Sequence, residues 1–441
     1  MKIALLAPAG AMHRFGGNFK KPLHYAPLTL TTLAALVPPE LRAEIKIYDE
    51  TAGIIPKDIE ADIIGITAIT GTSVRAYRWA DHFRSKGIHV VLGGVHPTLM
   101  PHEASSHADS VMVGFSEQTW PIVLMDFANH AAKKFYYQKN DFSMIGRPIP
   151  RRDLLERKRY ITVNSVEAIR GCNHACNFCA FPAAFGRKVY RRPVGEVVRE
   201  IEMLVGKEIV FPDINLIADR EYAKELFREL TPLKRWWFGL ATSEVAEDEE
   251  LFNVIVKSGC KGLLIGFESV LQESQKFVKK GINRVDQYVV LVDKLHSAGI
   301  AINGCFAFGG DKENKSVFER TVEAVVKLKI DLPRYSILTP FPGTPLYNDL
   351  SKQGRIIEKN WAMYDVEHCV FKPKLMTPDE LEDGTEWAWR QTYSFLNIAK
   401  RLSTFGTPHM ASIPANLFGY RIYARNFRKF TRDVMTDNSD I

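Results

Sequence analysis

Two successive series of short β-branched runs alternate with amphipathic stretches along this chain. That pattern restricts the fold to parallel sheets covered by helices, because parallel strands need a crossover and a helix is the usual one. The first series occupies residues 1–130, with strands expected at 2–7, 43–48, 63–69, 89–92 and 110–113 and helices at 29–37 and 74–86. It predicts a doubly wound, Rossmann-like α/β domain that binds its ligand at the carboxyl ends of the strands. Small and polar residues stand at those ends: Pro8-Ala9-Gly10, Thr67-Ala68-Ile69-Thr70-Gly71, Gly93-Gly94-Val95-His96-Pro97 and Gly114-Phe115-Ser116-Glu117. Taken as composition alone they are ordinary turn residues.

Residues 131–160 interrupt the alternation with Lys133-Lys134, Pro148, Pro150-Arg151-Arg152 and Arg157-Lys158-Arg159, the composition of a surface linker. A longer series then fills 161–350, with strands expected at 161–168, 208–211, 237–241, 262–265, 301–308 and 335–338. Helices fit between them at 194–204, 220–230, 248–257, 286–298 and 316–327. Six such units predict a partial, open (β/α)6 barrel, with an active site at the carboxyl ends of its strands. Residues 351–441 turn mainly helical and predict a C-terminal cap.

With 441 residues, 46% hydrophobic and 25% charged, the chain is long enough for two or three packed domains and is neither disordered nor fibrous. No run approaches the roughly 18 apolar residues of a membrane span. Met1-Lys2-Ile3 leads directly into a strand, so a cytoplasmic protein is expected. The net charge of +7, from 58 basic and 51 acidic residues, allows an anionic ligand or a membrane surface without requiring nucleic acid.

Six cysteines are too few for a disulfide scaffold, and three of them crowd into Cys172-Asn173-His174-Ala175-Cys176-Asn177-Phe178-Cys179, just after the first strand of the second series. Three thiolates at CxxxCxxC spacing can turn inward from one loop around a soft metal centre. Structural zinc would need a fourth protein ligand, for which His174 is the nearest candidate, since Cys260, Cys305 and Cys369 are isolated on or beside core elements. On a 4Fe-4S cluster, three ligands leave one iron open to a small molecule.

These residues resemble the radical S-adenosylmethionine superfamily. The resemblance extends to Arg170-Gly171 before the first cysteine, Phe178 before the last, and four segments at later strand ends: Phe211 to Asn215, Gly266-Phe267-Glu268-Ser269, Gly309-Gly310-Asp311 and Thr339 to Pro345. It covers residues 160–350. It implies that Cys172, Cys176 and Cys179 hold a 4Fe-4S cluster whose open iron is chelated by S-adenosylmethionine. An electron from the cluster then cleaves the sulfonium to a 5'-deoxyadenosyl radical. Phe178, Asp213, Asn215, Ser243 and Glu268 are the implied S-adenosylmethionine contacts, Asp213 and Asn215 for the methionyl amino group and Ser243 for a ribose hydroxyl. Glu268 is implied to reach the ribose or the amino group, with a helix-capping or surface acid as the plain alternative. An electron donor such as flavodoxin or ferredoxin is implied as partner.

The first series resembles the cobalamin-binding domain that precedes the radical domain in one large branch of that superfamily. The matching stretches are 26–36, Tyr48-Asp49, 65–68, 92–98, 101–103 and 109–114. Glycines there let the backbone approach the corrin, and Thr67 and Thr70 can donate to its amide side chains. Gly93, Gly94, His96, Gly114 and Glu117 complete the implied cobalamin site, with His96 near the corrin rim. The branch usually reads Gly-Glu-Gly-Glu where this chain has Gly114-Phe115-Ser116-Glu117, so Gly114 and Glu117 stay in register. His13 and Gly16 match the spacing of an axial-histidine loop whose supporting aspartate is here Ala11. His13 is either a cobalt ligand or a loop histidine facing solvent.

Two later segments, Trp361-Ala362-Met363-Tyr364-Asp365 and Met376 to Leu381, resemble those that follow the barrel in this branch. Tyr364 and Asp365 would touch substrate or plug the barrel mouth, and Thr377 with Glu380 has capping-box spacing. Basic and aromatic residues interleave from Tyr420 to Arg432, as in a peripheral membrane anchor or a helix packed on the barrel. The resemblance implies a cobalamin-dependent radical enzyme acting on a small molecule, most simply by methylating an unactivated carbon of a lipid-like, tetrapyrrole or other natural product. Oxidative cyclisation, as in the anaerobic tetrapyrrole cyclases, is the alternative on the same cofactors. A non-catalytic metal- or cobalamin-binding protein is the alternative of another class.

Overall fold

The computed structural model describes residues 1–10, 26–403 and 412–427. The first series folds into six parallel strands: β1 (Lys2–Ala7), β2 (Glu44–Asp49), β3 (Ile63–Thr67), β4 (His89–Gly93), β5 (Ser110–Val113) and β6 (Phe135–Tyr137). They lie in the order β2-β1-β3-β4-β5-β6. The central strands are aliphatic on both faces and buried on both, as a parallel sheet requires. One face packs Trp79 and Phe83 of the helix Ser73–Ser85. The other packs Leu30 and Leu33 of Leu28–Ala35 together with Trp120, Val123 and Leu124 of Thr119–Ala128. This is the doubly wound arrangement expected. β6 corrects the boundary, because Val111, Met112 and Val113 pair with Phe135, Tyr136 and Tyr137, inside the segment expected to be linker.

After a short antiparallel pair, β7 (Ile169–Arg170) and β8 (Tyr190–Arg191), the second sheet comprises β9 (Glu208–Val210), β10 (Trp236–Ala241), β11 (Cys260–Glu268), β12 (Ala301–Phe308) and β13 (Arg334–Ile337). All five are parallel, in the order β13-β12-β11-β10-β9. The strand expected at 161–168 is reduced to one parallel bridge between Ser165 and Val210. The cause is local. The carboxylate of Asp213 accepts the N–H groups of both Ala168 and Ile169, so those amides cannot continue the ladder and the chain turns away into β7. A half-barrel results.

Helix ends follow their side chains. Asp248 is the N-cap of Glu249–Lys257 rather than its first residue, accepting from the Leu251 N–H at 3.0 Å. Thr377 and Glu380 form the expected capping box on Pro378–Thr392. That helix packs on β13, where Trp389 Nε1 donates to the Tyr335 carbonyl at 3.2 Å. Tyr420, Tyr423 and Phe427 are buried in the same barrel-side core. The described part of the basic aromatic tail therefore presents these three rings to the protein, not outward. No helix among the described residues is long and apolar enough to cross a membrane.

Candidate functional site

The cysteine loop leaves β7 at Gly171, whose φ of +120° and close approach to the Lys188 carbonyl exclude any side chain. Cys172, Cys176 and Cys179 follow, all partly accessible, and the helix Ala180–Phe185 begins directly after them. Burial pushes the Cys176 thiol up to about 11 and raises that of Cys179, while the ammonium of Lys280 pulls both the other way. Such thiols ionise when a metal supplies the missing positive charge. His174 is held by Glu244 at 3.3 Å and does not complete a fourth ligand. Among the described residues no three His, Cys, Asp or Glu side chains close on a single ion. Cys260 and Cys369 are buried, as expected of packing residues.

The carboxyl ends of the barrel strands crowd polar groups around this loop. Asn215 Nδ2 lies 3.9 Å from Cys172 Sγ, and its Oδ1 is buried without a partner. Asp213 is drawn away from its expected role at one oxygen. Oδ1 holds the backbone of residues 168 and 169, whereas Oδ2 is buried and unpartnered, and burial with the nearby Glu167 charge raises this carboxyl to about 8. Ser243 donates to Asn283 Oδ1 at 2.8 Å, which ties the end of β10 to the loop after β11.

Glu268 closes β11 at φ +60°, beside a break in the β11–β12 register between Gly266 and Glu268. A non-glycine residue in that region is strained, and such strain clusters at functional sites. Its carboxylate is paired with Lys280, whose ammonium also donates to the Gly266 carbonyl at 2.9 Å. Burial opposes the charge on Lys280, but Glu268 outweighs it and raises the lysine. This excludes the reading of Glu268 as a surface or capping acid. Phe178, Glu268, Ser269, Ser274 and Glu313 line one small cavity, and Ser274 Oγ there is buried without a partner. Lys280 escaped the sequence reading because Lys279-Lys280 looks like an ordinary solvated doublet.

On the first sheet, Gly93 ends β4 and Gly94 follows at φ +103°, where a Cβ would stand 2.7 Å from the Ala68 carbonyl and 2.9 Å from Thr67 Oγ1. Gly114 donates to Thr98 Oγ1 at 3.1 Å, so the strand-end loops are tied to one another. His96 is fully buried, with Nδ1 3.3 Å from Thr70 Oγ1 and Nε2 3.3 Å from Glu103. Trp361 Nε1 donates to the other oxygen of Glu103 at 3.0 Å. His96 thus joins the first domain to the cap instead of standing free at a ligand rim. Glu117 is likewise engaged, its Oε1 2.7 Å from Arg170 Nη1. Thr119 Oγ1, just beyond, is buried and unpartnered. His13 lies outside the described residues.

Tyr364 and Asp365 form a plug. Tyr364 is buried and donates to the Glu358 carbonyl at 2.7 Å. Asp365 is equally buried and accepts from the Glu367 and His368 N–H groups at 2.9 and 3.1 Å, with His368 Nδ1 at 2.9 Å from its other oxygen. With every oxygen engaged in the protein, neither is a free substrate contact. The plug sits over the first sheet, where a Cβ on Gly71 would be 3.1 Å from the Tyr364 carbonyl.

The chain matches the radical SAM superfamily over residues 166–325 and the B12 binding domain over residues 42–124. It is 31% identical over 395 residues to a bacteriochlorophyllide d C-12(1)-methyltransferase of Chlorobaculum tepidum, spanning 85% of this chain and 84% of that one. It belongs to the cobalamin-dependent radical SAM methyltransferases. A bacteriochlorophyllide d C-8(2)-methyltransferase of the same organism is 30% identical over 404 residues, 87% of this chain and 88% of its own. The fold agrees: the radical SAM methyltransferase TsrM of Kitasatospora setae superposes with a TM-score of 0.67 over 99% of both chains at 15% identity.

As a cobalamin-dependent radical SAM methyltransferase, the protein uses a 4Fe-4S cluster, S-adenosylmethionine and cobalamin. Its residues fit all three. A single loop offers three soft donors, and the orphaned acceptors Asp213 Oδ2 and Asn215 Oδ1 beside it suit an ammonium group. On the first sheet, backbone close to Gly94 and the unpartnered Thr119 hydroxyl suit a large ligand carrying amide groups.

Proposed function

We propose that this enzyme methylates an unactivated carbon of a small molecule of lipid-like, tetrapyrrole or other natural-product type, with a tetrapyrrole as the first class to test. The reading rests on one observation: segments after the strands of the first sheet meet the second domain, through Glu117 with Arg170 just before the cysteines and through Leu99 with Gly343 in the loop after β13. Two cofactor sites carried on segments that touch are what a reaction drawing on both requires. Bound there, the cluster supplies the electron that cleaves S-adenosylmethionine and the corrin supplies the methyl group.

The residues divide the work. Cys172, Cys176 and Cys179 hold the cluster, with Phe178 packed beside them. Asp213 and Asn215 accept from the amino group of S-adenosylmethionine, and Ser243 and Glu268 serve its ribose side, Lys280 holding the Glu268 carboxylate in place. Thr67, Thr70, Gly93, Gly94 and Gly114 border the corrin, while His96 and Glu117 shape that border through their protein partners. The tetrapyrrole preference is supported by the names of the two Chlorobaculum tepidum relatives. A flavodoxin or ferredoxin would supply the electron. Peripheral membrane contact, if used to collect an apolar substrate, would fall to the exposed Trp387, Phe395, Leu396 and Phe418, and flotation with anionic vesicles tests it.

Product mass decides the reaction. Turnover should add one methyl group and yield S-adenosylhomocysteine together with 5'-deoxyadenosine; absence of S-adenosylhomocysteine would sink methylation and leave cyclisation. That second reading draws on an anaerobic magnesium-protoporphyrin IX monomethyl ester cyclase of Cereibacter sphaeroides, 29% identical over 51% of this chain. Failure of the reconstituted protein to cleave S-adenosylmethionine would leave only a binding protein.

A further inference from the structure

The loop after β5 grips the cysteine loop at both ends. Before the first cysteine stands Arg170, whose guanidinium is used on every side. Nε and Nη2 donate to the two oxygens of Glu167 at 2.8 and 2.6 Å, and Nη1 pairs with Glu117 at 2.7 Å. Its planar face lies 4.8 Å from the ring of Phe115. After the last cysteine stands the helix Ala180–Phe185, and the ring of Phe185 stacks on that of Phe115 at 4.5 Å with 15° between planes. Phe181 of the same helix, with Phe142 and Tyr190, completes the aromatic cluster around Phe115. One ring from the first domain is thus the common neighbour of both flanks of residues 172–179.

The gripping loop is itself held. Phe115 N–H donates to Gln138 Oε1 at 2.7 Å, Gly114 N–H to Thr98 Oγ1 at 3.1 Å, and the Ser116 carbonyl accepts from Trp120 N–H at 2.8 Å. Thr98 belongs to the segment 92–98 and Gly114 to the segment 109–114, both assigned above to the corrin border. Arg147 pairs with Glu167 and lies 3.7 Å from Glu117, which closes a ring of two acids and two arginines across the domain boundary. Burial would raise the Glu167 carboxyl, yet the two guanidinium groups bring it down to about 2.

We infer that Phe115 and Glu117 are positioning residues that make corrin binding and cluster retention interdependent, each occupied site steadying the loop that the other needs. The inference rests on the cofactor assignments proposed above. Linkage is reciprocal at equilibrium, so the cluster should tighten cobalamin binding by the factor by which cobalamin tightens cluster retention, and the steadier loop should also slow the loss of the cluster.

The test uses the full chain, reconstituted anaerobically, with cluster absorbance followed during exposure to a chelator in the presence and absence of saturating hydroxocobalamin. In the parent protein cobalamin should slow the loss about fivefold or more, within the usual range of such couplings. Phe115→Ala should still take up iron, sulfide and cobalamin, but its protection should fall below about twofold, with Glu117→Gln intermediate and Phe115→Tyr restored. Equal protection in Phe115→Ala, or none in the parent, overturns the coupling. Should Phe115→Ala fail to fold, Phe115→Leu replaces it. The reciprocal measurement also decides: hydroxocobalamin affinity, by titration, should drop when Cys172, Cys176 and Cys179 are all changed to alanine, and an unchanged affinity overturns the proposal. A parent chain that takes up no cluster or no cobalamin refutes the cofactor assignments themselves, a different result from uptake without coupling.

Discussion

At the carboxyl ends of β9 and β11, side chains wait with unmet hydrogen-bonding capacity: Asp213 Oδ2, Asn215 Oδ1 and Ser274 Oγ are all buried and unpartnered. At the carboxyl ends of β3 to β5 the prominent polar side chains, Thr70, His96, Glu103 and Glu117, are already engaged with protein. The barrel end is organised for a small ligand gripped by specific atoms, since a buried polar group without a partner is costly until one arrives. The Rossmann-like end is organised mainly by backbone shape, its acids and His96 fixing loops, with the Thr119 hydroxyl left unpartnered. The two strand ends proposed as cofactor sites are thus built by different physical means.

The sharpest way to break that contrast is at the barrel end. Any one of Cys172→Ala, Cys176→Ala or Cys179→Ala should remove the cluster chromophore and lower 5'-deoxyadenosine formation by more than about a thousandfold, read by absorbance and chromatography, while cobalamin still binds. Lys280→Met leaves the part-buried Glu268 carboxylate without its ion-pair partner, so the cluster-free protein should lose about 3 kcal/mol in denaturant unfolding. The paired change Lys280→Met with Glu268→Gln should recover much of it.

The Rossmann-like end should respond to shape. Gly94→Ala places a Cβ against the Ala68 carbonyl at a φ that suits glycine, which should weaken hydroxocobalamin binding by about 1–3 kcal/mol in a spectrophotometric titration and leave S-adenosylmethionine affinity unchanged. A smaller effect belongs to the cap between the two ends. Burial, with the Asp365 charge second, raises Glu367 to about 8. A folded state that holds its proton above the unfolded value loses stability as pH climbs between the two, here from about 4.5 towards 8, so melting temperature should fall across pH 7 to 8 by the equivalent of roughly 1 kcal/mol. Glu367→Gln should flatten that slope.

Much of this was legible from periodicity. The alternation of strands and helices, the capping box at Thr377 and Glu380, and the carboxyl-end placement of Glu268 follow from local spacing, and the structure keeps them. What was not legible lies between residues far apart. Trp361 and Glu103 are 258 positions from each other, and nothing near either announces the bond. Lys280 looks like surface charge until β11 brings Glu268 beside it. The strand expected at 161–168 fails because the Asp213 carboxylate competes for its amides, a tertiary event that propensity cannot see. Tyr364 and Asp365 have the residue types of a substrate site, and only the partners that surround them reveal a plug.

The cap loop returns from beyond residue 360 to cover residues 70–72, where Gly71 meets the Tyr364 carbonyl and Trp361 reaches Glu103. During synthesis both earlier domains emerge, and can fold, before that loop exists. The wall over the first sheet is therefore the last one built. Until it arrives residues 70–72 and Glu103 lack the partners that the cap gives them, so the end of the first sheet takes its finished form only after most of the chain has been made.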